Sequence, residues 1–277
     1  LGLVRLDYIW QISGKFTAFL RLIEGNDMSA DALDRLQDMM SKAHRVVVFT
    51  GAGISTESGI PDFRSPGGLW TKYAPIDFQE FVGSEDMRME AWRRKFAMDS
   101  TLGEAEPNKG HFAIAKMVDA GLVTHVITQN IDGLHQAAGV PASKVIELHG
   151  NATYATCLSC GLRHELADVR VAFEASDTSP RCVSCEGIVK SATISFGQSM
   201  PEDKMLLAQQ ATQDCDLMLA IGSSLQVYPA AGFPIMAKQN GSGLIILNRE
   251  ATELDHIADL VLHLEIGPTL APLVRLN

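Results

Sequence analysis

The sequence predicts an α/β protein that has a parallel sheet, helices on both faces of that sheet and a smaller inserted lobe. First, short apolar runs alternate along the chain with segments of helical spacing. Second, two stretches, residues 65–108 and 151–190, interrupt this alternation. Third, the first apolar run leads directly into closely spaced glycines, which is typical of a Rossmann-like nucleotide-binding sheet.

Seven runs are predicted to be strands because they are short, apolar and bounded by turn residues. They are residues 45–50, 123–128, 144–147, 192–196, 217–221, 244–247 and 260–264. Helices are predicted where apolar residues recur every three or four positions. These segments are residues 31–43, 111–120, 203–212 and 230–239.

The interruptions divide the chain into a large domain and inserted segments. We assign residues 30–64, 109–150 and 191–277 to the Rossmann-like domain. Residues 65–108 are predicted to be a helical insertion, and residues 151–190 a cysteine-bearing insertion. Residues 1–29 are interpreted as an N-terminal extension outside this fold, because they lack the layout of a signal peptide and Met28 precedes a helix-cap sequence.

Composition excludes several classes of partner. A chain of 277 residues with 46% hydrophobic content can bury a sizeable core. The net charge of −10 argues against direct nucleic-acid binding, and no apolar run is long enough for a membrane span. Clustered cysteines in an otherwise thiol-poor chain fit a reducing compartment. We therefore expect a cytoplasmic protein of bacterial type; the oligomeric state stays open, with a monomer among the options.

Four of the five cysteines form two Cys-x-x-Cys pairs, Cys157 with Cys160 and Cys182 with Cys185. Four thiolates at such spacings can complete a tetrahedral zinc shell and leave no open position for water. The pattern therefore predicts one structural zinc ion. The alternative is a pair of disulfides or free thiols. Cys215 stands apart beside a predicted strand, which is typical of a small core residue.

Residues 51–64 are the most informative stretch, because they place a glycine-rich loop directly after a buried strand. The third glycine of the dinucleotide fingerprint is replaced by Thr56. No second strand ends in an acidic residue about 20 residues later, where a hydride-transfer enzyme would hold the ribose. The polar turn at residues 61–64 instead carries groups that can close over a bound dinucleotide.

Polar residues also follow other predicted strands at their carboxyl ends, where open α/β sheets bind ligands. Asn130 and Asp132 follow one strand, and helix capping is the alternative role for both. His149 follows another and is our candidate general base, because an imidazole titrates near neutral pH. His135 lies in the same turn as Asp132, and we expect it to be structural.

Taken together, these motifs resemble those of the sirtuins, the NAD-dependent protein-lysine deacylases. The resemblance covers about residues 30 to 275 and depends on eight segments in the order that the family requires. They are residues 51–64, the Gln-Asn-Ile-Asp motif of 128–135, the Leu-His-Gly motif of 147–150, the two cysteine pairs, 196–198, and the pair formed by 222–225 and 247–250. The pattern around residues 92–96 and 107–111 is similar to class II members.

The resemblance implies NAD as a co-substrate and assigns roles to individual residues. The catalytic residues would be His149, Asn130 and Asp132, with Asp132 on the nicotinamide carboxamide and Asn130 on the ribose face. The NAD contacts would be Gly51, Ala52, Gly53, Thr56, Asp62, Phe63, Arg64, Gln129, Asn130, Ile131, Asp132, His149, Gly222, Ser223, Ser224, Asn248, Arg249 and Ile266. The substrate contacts would be Phe196, Gly197 and Val227, between which an acyl-lysine peptide lies as an added strand.

The resemblance also implies the reaction. The acyl oxygen attacks the nicotinamide-ribose carbon and expels nicotinamide, His149 takes a proton from the ribose hydroxyls, and water completes the release of lysine and O-acyl-ADP-ribose. Two alternatives use the same NAD site: a protein mono-ADP-ribosyltransferase and a non-catalytic NAD-sensing module. Labelled NAD separates the first from a deacylase, and absence of nicotinamide release would indicate the second.

This chain departs from the family pattern at two positions, because Ser223 stands where threonine is usual and Gln198 where glutamate is common. A further difference concerns the acyl group. Members that prefer succinyl or malonyl lysine carry a Tyr-x-x-Arg pair, whereas this chain has Trp92 and, three residues later, Lys95. We expect neutral acyl groups to be preferred. An alternative for Trp92 and Phe96 is a core pair with the neighbouring cations in solvent.

Overall fold

The structure is a computed structural model that describes residues 27–62, 74–103, 105–176 and 178–274. Its strands are β1 (Val46–Thr50), β2 (Val123–Thr128), β3 (Val145–Glu147), β4 (Gly150–Cys157), β5 (Arg163–Glu165), β6 (Val189–Thr193), β7 (Leu217–Ile221), β8 (Gly243–Leu247) and β9 (Leu260–Leu262). Its α-helices are α1 (Asp27–Lys42), α2 (Phe78–Gly83), α3 (Glu85–Gly103), α4 (Lys109–Asp119), α5 (Leu134–Ala137), α6 (Leu166–Glu174), α7 (Glu202–Asp214), α8 (Gly232–Gln239) and α9 (Ile266–Leu270).

Six strands form a parallel sheet in the order β3-β2-β1-β7-β8-β9. The strand order reverses between β1 and β7, and the ligand crevice of an open α/β sheet lies at such a reversal. This is the Rossmann-like arrangement that the sequence predicts.

The central strand β1 is apolar at every position except Thr50, because both of its faces are buried. Val46 and Val48 pack on one face of the sheet, together with Leu36 of α1. Val47 and Phe49 pack on the opposite face, in a second cluster that includes helix α7. Both faces of a parallel sheet are covered by helices, so its strands read as continuous apolar runs and not as an alternating pattern.

A second, three-stranded sheet in the order β5-β4-β6 is antiparallel and belongs to the smaller lobe. Helix α3 packs against this sheet through Trp92 and Phe96, which lie in one cluster with Cys157, Val169 and Val189. Residues from the helical stretch and from the cysteine-bearing stretch therefore share one small core.

The predicted strand at residues 192–196 is wrong in both position and sheet. The observed strand, β6, spans Val189–Thr193 and pairs antiparallel with β4 in the small sheet. The predicted strand lies too far toward the C-terminus because Ile194 and Phe196 extend the apolar run. The observed strand instead contains Lys190, a polar residue that is buried. Strands β4 and β5 were not predicted.

The first helix begins at Asp27, inside the stretch interpreted as an N-terminal extension. Residues 1–26 lie outside the described residues. Among the described helices, none combines the length and the apolar character that a membrane span requires.

Candidate active site

A cavity of about 810 Å³ lies at the carboxyl ends of the parallel strands and extends toward the small lobe. Loops that follow β1, β2, β3, β7 and β8 form one wall, and residues of α3 and β6 form another. The strand order reverses here, so the cavity occupies the crevice at which open α/β sheets bind their ligands.

Two glycine-bearing loops meet at the floor of this cavity. The backbone N–H of Gly53 donates to the carbonyl oxygen of Gly222 at 2.8 Å. A Cβ atom on Gly53 would lie 2.7 Å from Gly222 Cα, and one on Gly222 would lie 2.3 Å from the backbone nitrogen of Ile54. Gly222 also has a φ of +60°, in the left-handed region. Glycine is therefore required for the two loops to touch each other, in addition to any approach to a phosphate.

The loop after β2 contributes to a hydrogen-bonded network that joins Asn130, Ser55 and Asp132. Asn130 Nδ2 donates to Ser55 Oγ at 3.2 Å, and Ser55 Oγ donates to Asp132 Oδ2 at 2.7 Å. The other carboxylate oxygen of Asp132 accepts the backbone N–H of Leu134 at 3.0 Å. Asp132 is thus held in the turn that precedes α5 by Ser55 and Leu134, and helix capping is not its role, because the N-cap of α5 is Gly133 and that helix has no side-chain cap.

His149 faces the cavity from the end of β3, and its environment fixes its tautomer. Nδ1 lies 3.1 Å from the carbonyl oxygen of Gln129. A carbonyl can only accept, so the proton of a neutral imidazole is on Nδ1 and the basic nitrogen is Nε2. Burial lowers the pKa of His149, while the hydrogen bond to Gln129 partly opposes that shift. The side chain is therefore a neutral base at physiological pH.

The far wall of the cavity carries a two-pronged ion pair. Arg249 Nε and Nη2 lie 3.0 and 2.9 Å from the two carboxylate oxygens of Glu265. Asn248 precedes Arg249 in the loop after β8, and Ile266 follows Glu265 at the start of α9. Both partners of the ion pair are exposed, so we assign little folding free energy to it.

The mouth of the cavity is bounded by two exposed aromatic residues from separate loops. Phe196 is 50% exposed and follows β6, while Tyr228 is 58% exposed and follows Val227. The carbonyl oxygen of Phe196 accepts the backbone N–H of Phe78 at 2.9 Å, which anchors this loop to α2. An extended peptide can enter between the two loops as an added strand.

Most of the predicted site residues line this one cavity. They are Gly51, Ala52, Gly53, Thr56, Asp62, Gln129, Asn130, Ile131, His149, Phe196, Gly197, Gly222, Ser223, Ser224, Val227, Asn248, Arg249 and Ile266. Asp132 is not among the lining residues of the described chain and contacts the network through Ser55. Phe63 and Arg64 lie outside the described residues.

Sequence reasoning missed Ser55 and Lys190. Ser55 is 1% exposed and bridges Asn130 and Asp132. The position of Ser55 inside the glycine-rich motif of residues 51–64 is the signal that could have identified it. Lys190 lines the cavity, is 4% exposed and donates to the carbonyl oxygen of Thr193 at 2.5 Å. Burial lowers the pKa of Lys190 to about 8. No sequence motif marks it.

The stretch of residues 89–96 in helix α3 offers no unpaired Arg-type clamp for an acyl carboxylate. Trp92 and Phe96 stack with ring centroids 5.4 Å apart, so the core-pair alternative is correct for them. The other part of that alternative, in which the neighbouring cations lie in solvent, is wrong for Arg94 and Lys95, because both are paired with carboxylates. Arg94 Nε binds Glu90 at 2.7 Å, and Lys95 forms an ion pair with Asp99.

The four paired cysteines converge in the small lobe, with all their sulfur atoms within 4.8 Å of one another. A zinc–sulfur distance of about 2.3 Å in a tetrahedron places sulfur atoms about 3.8 Å apart. The Sγ separations of 3.5 Å for Cys157 and Cys185 and 3.7 Å for Cys160 and Cys182 fit that arrangement. No disulfide joins any of the four, and Cys215 is buried elsewhere. The cluster is thus placed to bind a structural zinc ion.

Comparison with known proteins identifies the family of this chain. The model of the Sir2 family matches residues 51–229. The chain belongs to the Sir2 family. A relative from Rhodopseudomonas palustris, named NAD-dependent protein deacetylase, is 56% identical over 88% of this chain and 97% of its own length. NAD-dependent protein deacetylase 1 of Bradyrhizobium diazoefficiens is 55% identical over 92% of this chain and 99% of its own.

Solved structures of Sir2 proteins share the fold of this Sir2-family chain. A Sir2 complex with deacetylated p53 peptide and 3′-O-acetyl ADP ribose has a TM-score of 0.81 at 36% identity, covering 88% of this chain and 97% of the other. A Sir2–p53 peptide–NAD+ complex has a TM-score of 0.79 at 35% identity, with the same coverage. The predicted family and fold class are confirmed. Membership of class II stays a prediction.

Proposed function

We propose that this Sir2-family protein removes acyl groups from lysine side chains of proteins and consumes NAD, giving nicotinamide and O-acyl-ADP-ribose. The observation that carries the proposal is His149, a neutral imidazole with Nε2 as its basic nitrogen, in a cavity that also contains both glycine-bearing loops. A positioned general base of this kind takes the proton from a hydroxyl that becomes a nucleophile.

NAD fits the residues that line the cavity. The loops at Gly51 to Thr56 and Gly222 to Ser224 line the cavity and carry the hydroxyls of Thr56, Ser223 and Ser224, which could bind the diphosphate and a ribose. We assign Asn248, Arg249 and Ile266 to the adenosine end and Asp62 to the dinucleotide as well. Phe63 and Arg64, which the sequence motif also assigns to the dinucleotide, lie outside the described residues. NAD supplies the ribose carbon that accepts the acyl oxygen as nicotinamide leaves.

The nicotinamide end is assigned to the network of Asn130, Ser55 and Asp132. Asn130 lies in the cavity wall, and Ser55 joins it to Asp132. Gln129 connects this network to the second glycine-bearing loop, because its Nε2 donates to Ser223 Oγ at 2.9 Å. These side chains would hold the nicotinamide ribose next to His149.

The partner is an acyl-lysine peptide that enters between Phe196–Gly197 and Val227. Solved relatives include Sir2 proteins bound to an acetylated peptide and to a propionylated peptide. Main-chain pairing gives affinity for such a peptide with little dependence on its sequence. Because Gln198 is uncharged, basic residues that flank the lysine gain no ionic contact at that position.

The test is nicotinamide release with a panel of acyl-lysine peptides and ³²P-labelled NAD. We expect release only when the peptide carries an acyl group, with the label recovered as O-acyl-ADP-ribose. Label retained on protein would identify the mono-ADP-ribosyltransferase alternative, which the names of the relatives do not favour. No release with any peptide would contradict an enzymatic role altogether.

A further inference from the structure

The order of the strands places Arg249 at the end of the cavity away from the candidate base. His149 follows the edge strand β3, the two glycine-bearing loops follow the central strands β1 and β7, and Arg249 follows β8. In the proposed function the nicotinamide lies next to His149 and the diphosphate lies at the glycine-bearing loops. The other half of the dinucleotide, the adenosine, then faces Arg249.

The guanidinium of Arg249 is already engaged by a carboxylate. Its Nε–H and Nη2–H donate to the two carboxylate oxygens of Glu265 at 3.0 and 2.9 Å. Arginine binds phosphate through the same two-pronged arrangement. An arginine near the adenosine ribose is typical of sites that accept the 2′-phosphate of NADP. Here Glu265 occupies the donor edge that such a phosphate would need.

Two more carboxylates line this end of the cavity, those of Glu57 and Glu250. Glu57 is held in place because its Oε1 accepts the backbone N–H of Gly267 at 2.8 Å. The hydrogen bond to Glu265 raises the pKa of Arg249, and the charges of the three glutamates raise it further. The other cations that line the described part of the cavity belong to α3 and β6. Three carboxylates therefore face one guanidinium at the adenosine end.

We propose that Glu265 makes this site select NAD over NADP, because its ion pair withholds Arg249 from a 2′-phosphate. NADP differs from NAD by that phosphate, which adds about 1.5 to 2 negative charges at neutral pH. Glu57 and Glu250 repel the added charge as well. The inference rests on the proposed function, which places NAD in this cavity, and it names the residue that decides between the two dinucleotides.

The first test measures binding and needs no turnover. Calorimetric titration of the full chain with NAD and with NADP gives a Kd for each dinucleotide. Glu265→Gln keeps the size of the side chain and removes its charge, and both partners of the ion pair are exposed, so the fold should tolerate the change. We expect the ratio of the Kd for NADP to the Kd for NAD to fall about tenfold, within the range of one charge-assisted contact.

The matched control is Glu253→Gln. Glu253 is an exposed glutamate of the same loop, and it is not among the residues that line the cavity. This variant removes the same charge without releasing Arg249. We expect its Kd ratio to stay within about twofold of the wild type. A fall as large as that in Glu265→Gln would show that the charge of the whole chain, and not the ion pair, sets the preference, and would overturn the proposal.

A double variant decides whether the arginine is the group that binds the phosphate. We expect Arg249→Met in the Glu265→Gln background to lose the gain in NADP binding. A gain that persists without Arg249, or a wild-type ratio in the single variant Glu265→Gln, would overturn the proposal.

Ionic strength supplies a readout on the wild type alone. Salt screens repulsion between exposed charges. We expect the wild-type Kd ratio to fall when sodium chloride is raised from about 50 mM to about 500 mM, because the repulsion of the 2′-phosphate weakens. A ratio that rises with salt would show that the wild-type site attracts the phosphate, which contradicts the proposal.

The same titrations separate this inference from the proposed function. A wild-type chain that binds neither dinucleotide and releases no nicotinamide overturns both. A wild-type chain that binds NAD and releases nicotinamide, with no gain of NADP binding in Glu265→Gln, overturns the role of Glu265 and leaves the proposed function standing.

Discussion

The Nδ1 atom of His149 lies 3.1 Å from the carbonyl oxygen of Gln129, and this contact makes Nε2 the basic atom of the imidazole. Gln129 belongs to the loop after β2, whereas His149 follows β3, so the pairing of two strands sets the tautomer. The contact fixes which nitrogen faces a substrate hydroxyl before any ligand binds.

Replacing this base should abolish most of the activity. We expect His149→Ala to lower turnover by about a hundredfold or more, the usual share of a positioned general base, with NAD binding largely retained. Steady-state nicotinamide release and NAD titration at matched folded concentration measure the two effects. His44→Ala is the control, because His44 is exposed and precedes β1 at the opposite end of the sheet. Equal turnover in the wild type and His149→Ala would remove His149 from the reaction.

Activity should respond to pH through the same imidazole. Burial lowers the pKa of His149, and only the neutral ring can accept a proton. The acid limb of the kcat/KM profile should therefore have its midpoint below the ordinary histidine value of about 6.5, and activity should rise with pH through that midpoint. A profile measured with saturating peptide over pH 5 to 9 tests this. A midpoint clearly above the ordinary value would contradict the assigned environment.

Stability should fall in mild acid because two other histidines are buried neutral. The pKa values of His111 and His135 are lowered to about 4 and about 3, whereas the unfolded chain protonates near 6.5. Their stabilising contribution is complete above about pH 6.5 and declines as pH falls toward 4. The slope is up to about 1.4 kcal/mol per pH unit for each ring. Urea unfolding at pH 7 and pH 5 should show a smaller pH dependence in His111→Asn, while His44→Asn should match the wild type.

The cysteine cluster should bind one zinc ion per chain. Cys160→Ser should lose that zinc and lower the melting temperature, with activity falling as a consequence, because a closed four-thiolate site contributes folding free energy. Elemental analysis and thermal unfolding measure both effects. Cys215→Ala removes a buried thiol outside the cluster and should keep a full zinc equivalent. A fully active preparation without zinc would disprove the structural role.

The acyl specificity follows from the pairing of the cations near Trp92. Arg94 and Lys95 are bound by Glu90 and Asp99, so neither offers an unpaired fork to an acyl carboxylate. We expect kcat/KM for acetyl and longer neutral acyl peptides to exceed that for succinyl peptide. If succinyl is preferred, loss of that preference in Lys190→Met would identify Lys190, which is buried in the cavity wall, as the cation that binds the acyl carboxylate.

Much of the fold could be predicted because the parallel strands are buried on both faces. Residues 217–221 were predicted with the observed bounds because a continuous apolar run has clear ends. Residues 123–128 also match the observed bounds, although Thr124 and His125 interrupt the apolar run. Strand β4 was missed because Asn151, Thr153 and Thr156 interrupt any apolar pattern. That strand is specified by the small sheet and the cysteine cluster, which are tertiary features.

The sequence locates the site residues because each follows a strand, but it does not predict the contacts between them. The sequence places Asn130, Asp132 and His149 at one sheet edge. It does not reveal that Ser55 joins the first two, or that Asp132 is not among the residues that line the cavity. The roles assigned to these residues and the domain boundaries stay predictions until the variants are measured.

The contact between Gly53 and Gly222 means that the binding crevice is assembled from opposite halves of the chain. During synthesis the strand that bears Gly53 emerges early, and its loop has no partner until β7 has also left the ribosome. The whole small lobe is made in the interval, inside the connection that this contact closes. Closing so long a connection costs conformational entropy, which makes the crevice a late event of folding. An incomplete nascent chain therefore cannot sequester the dinucleotide, and binding begins only once both central strands are in place.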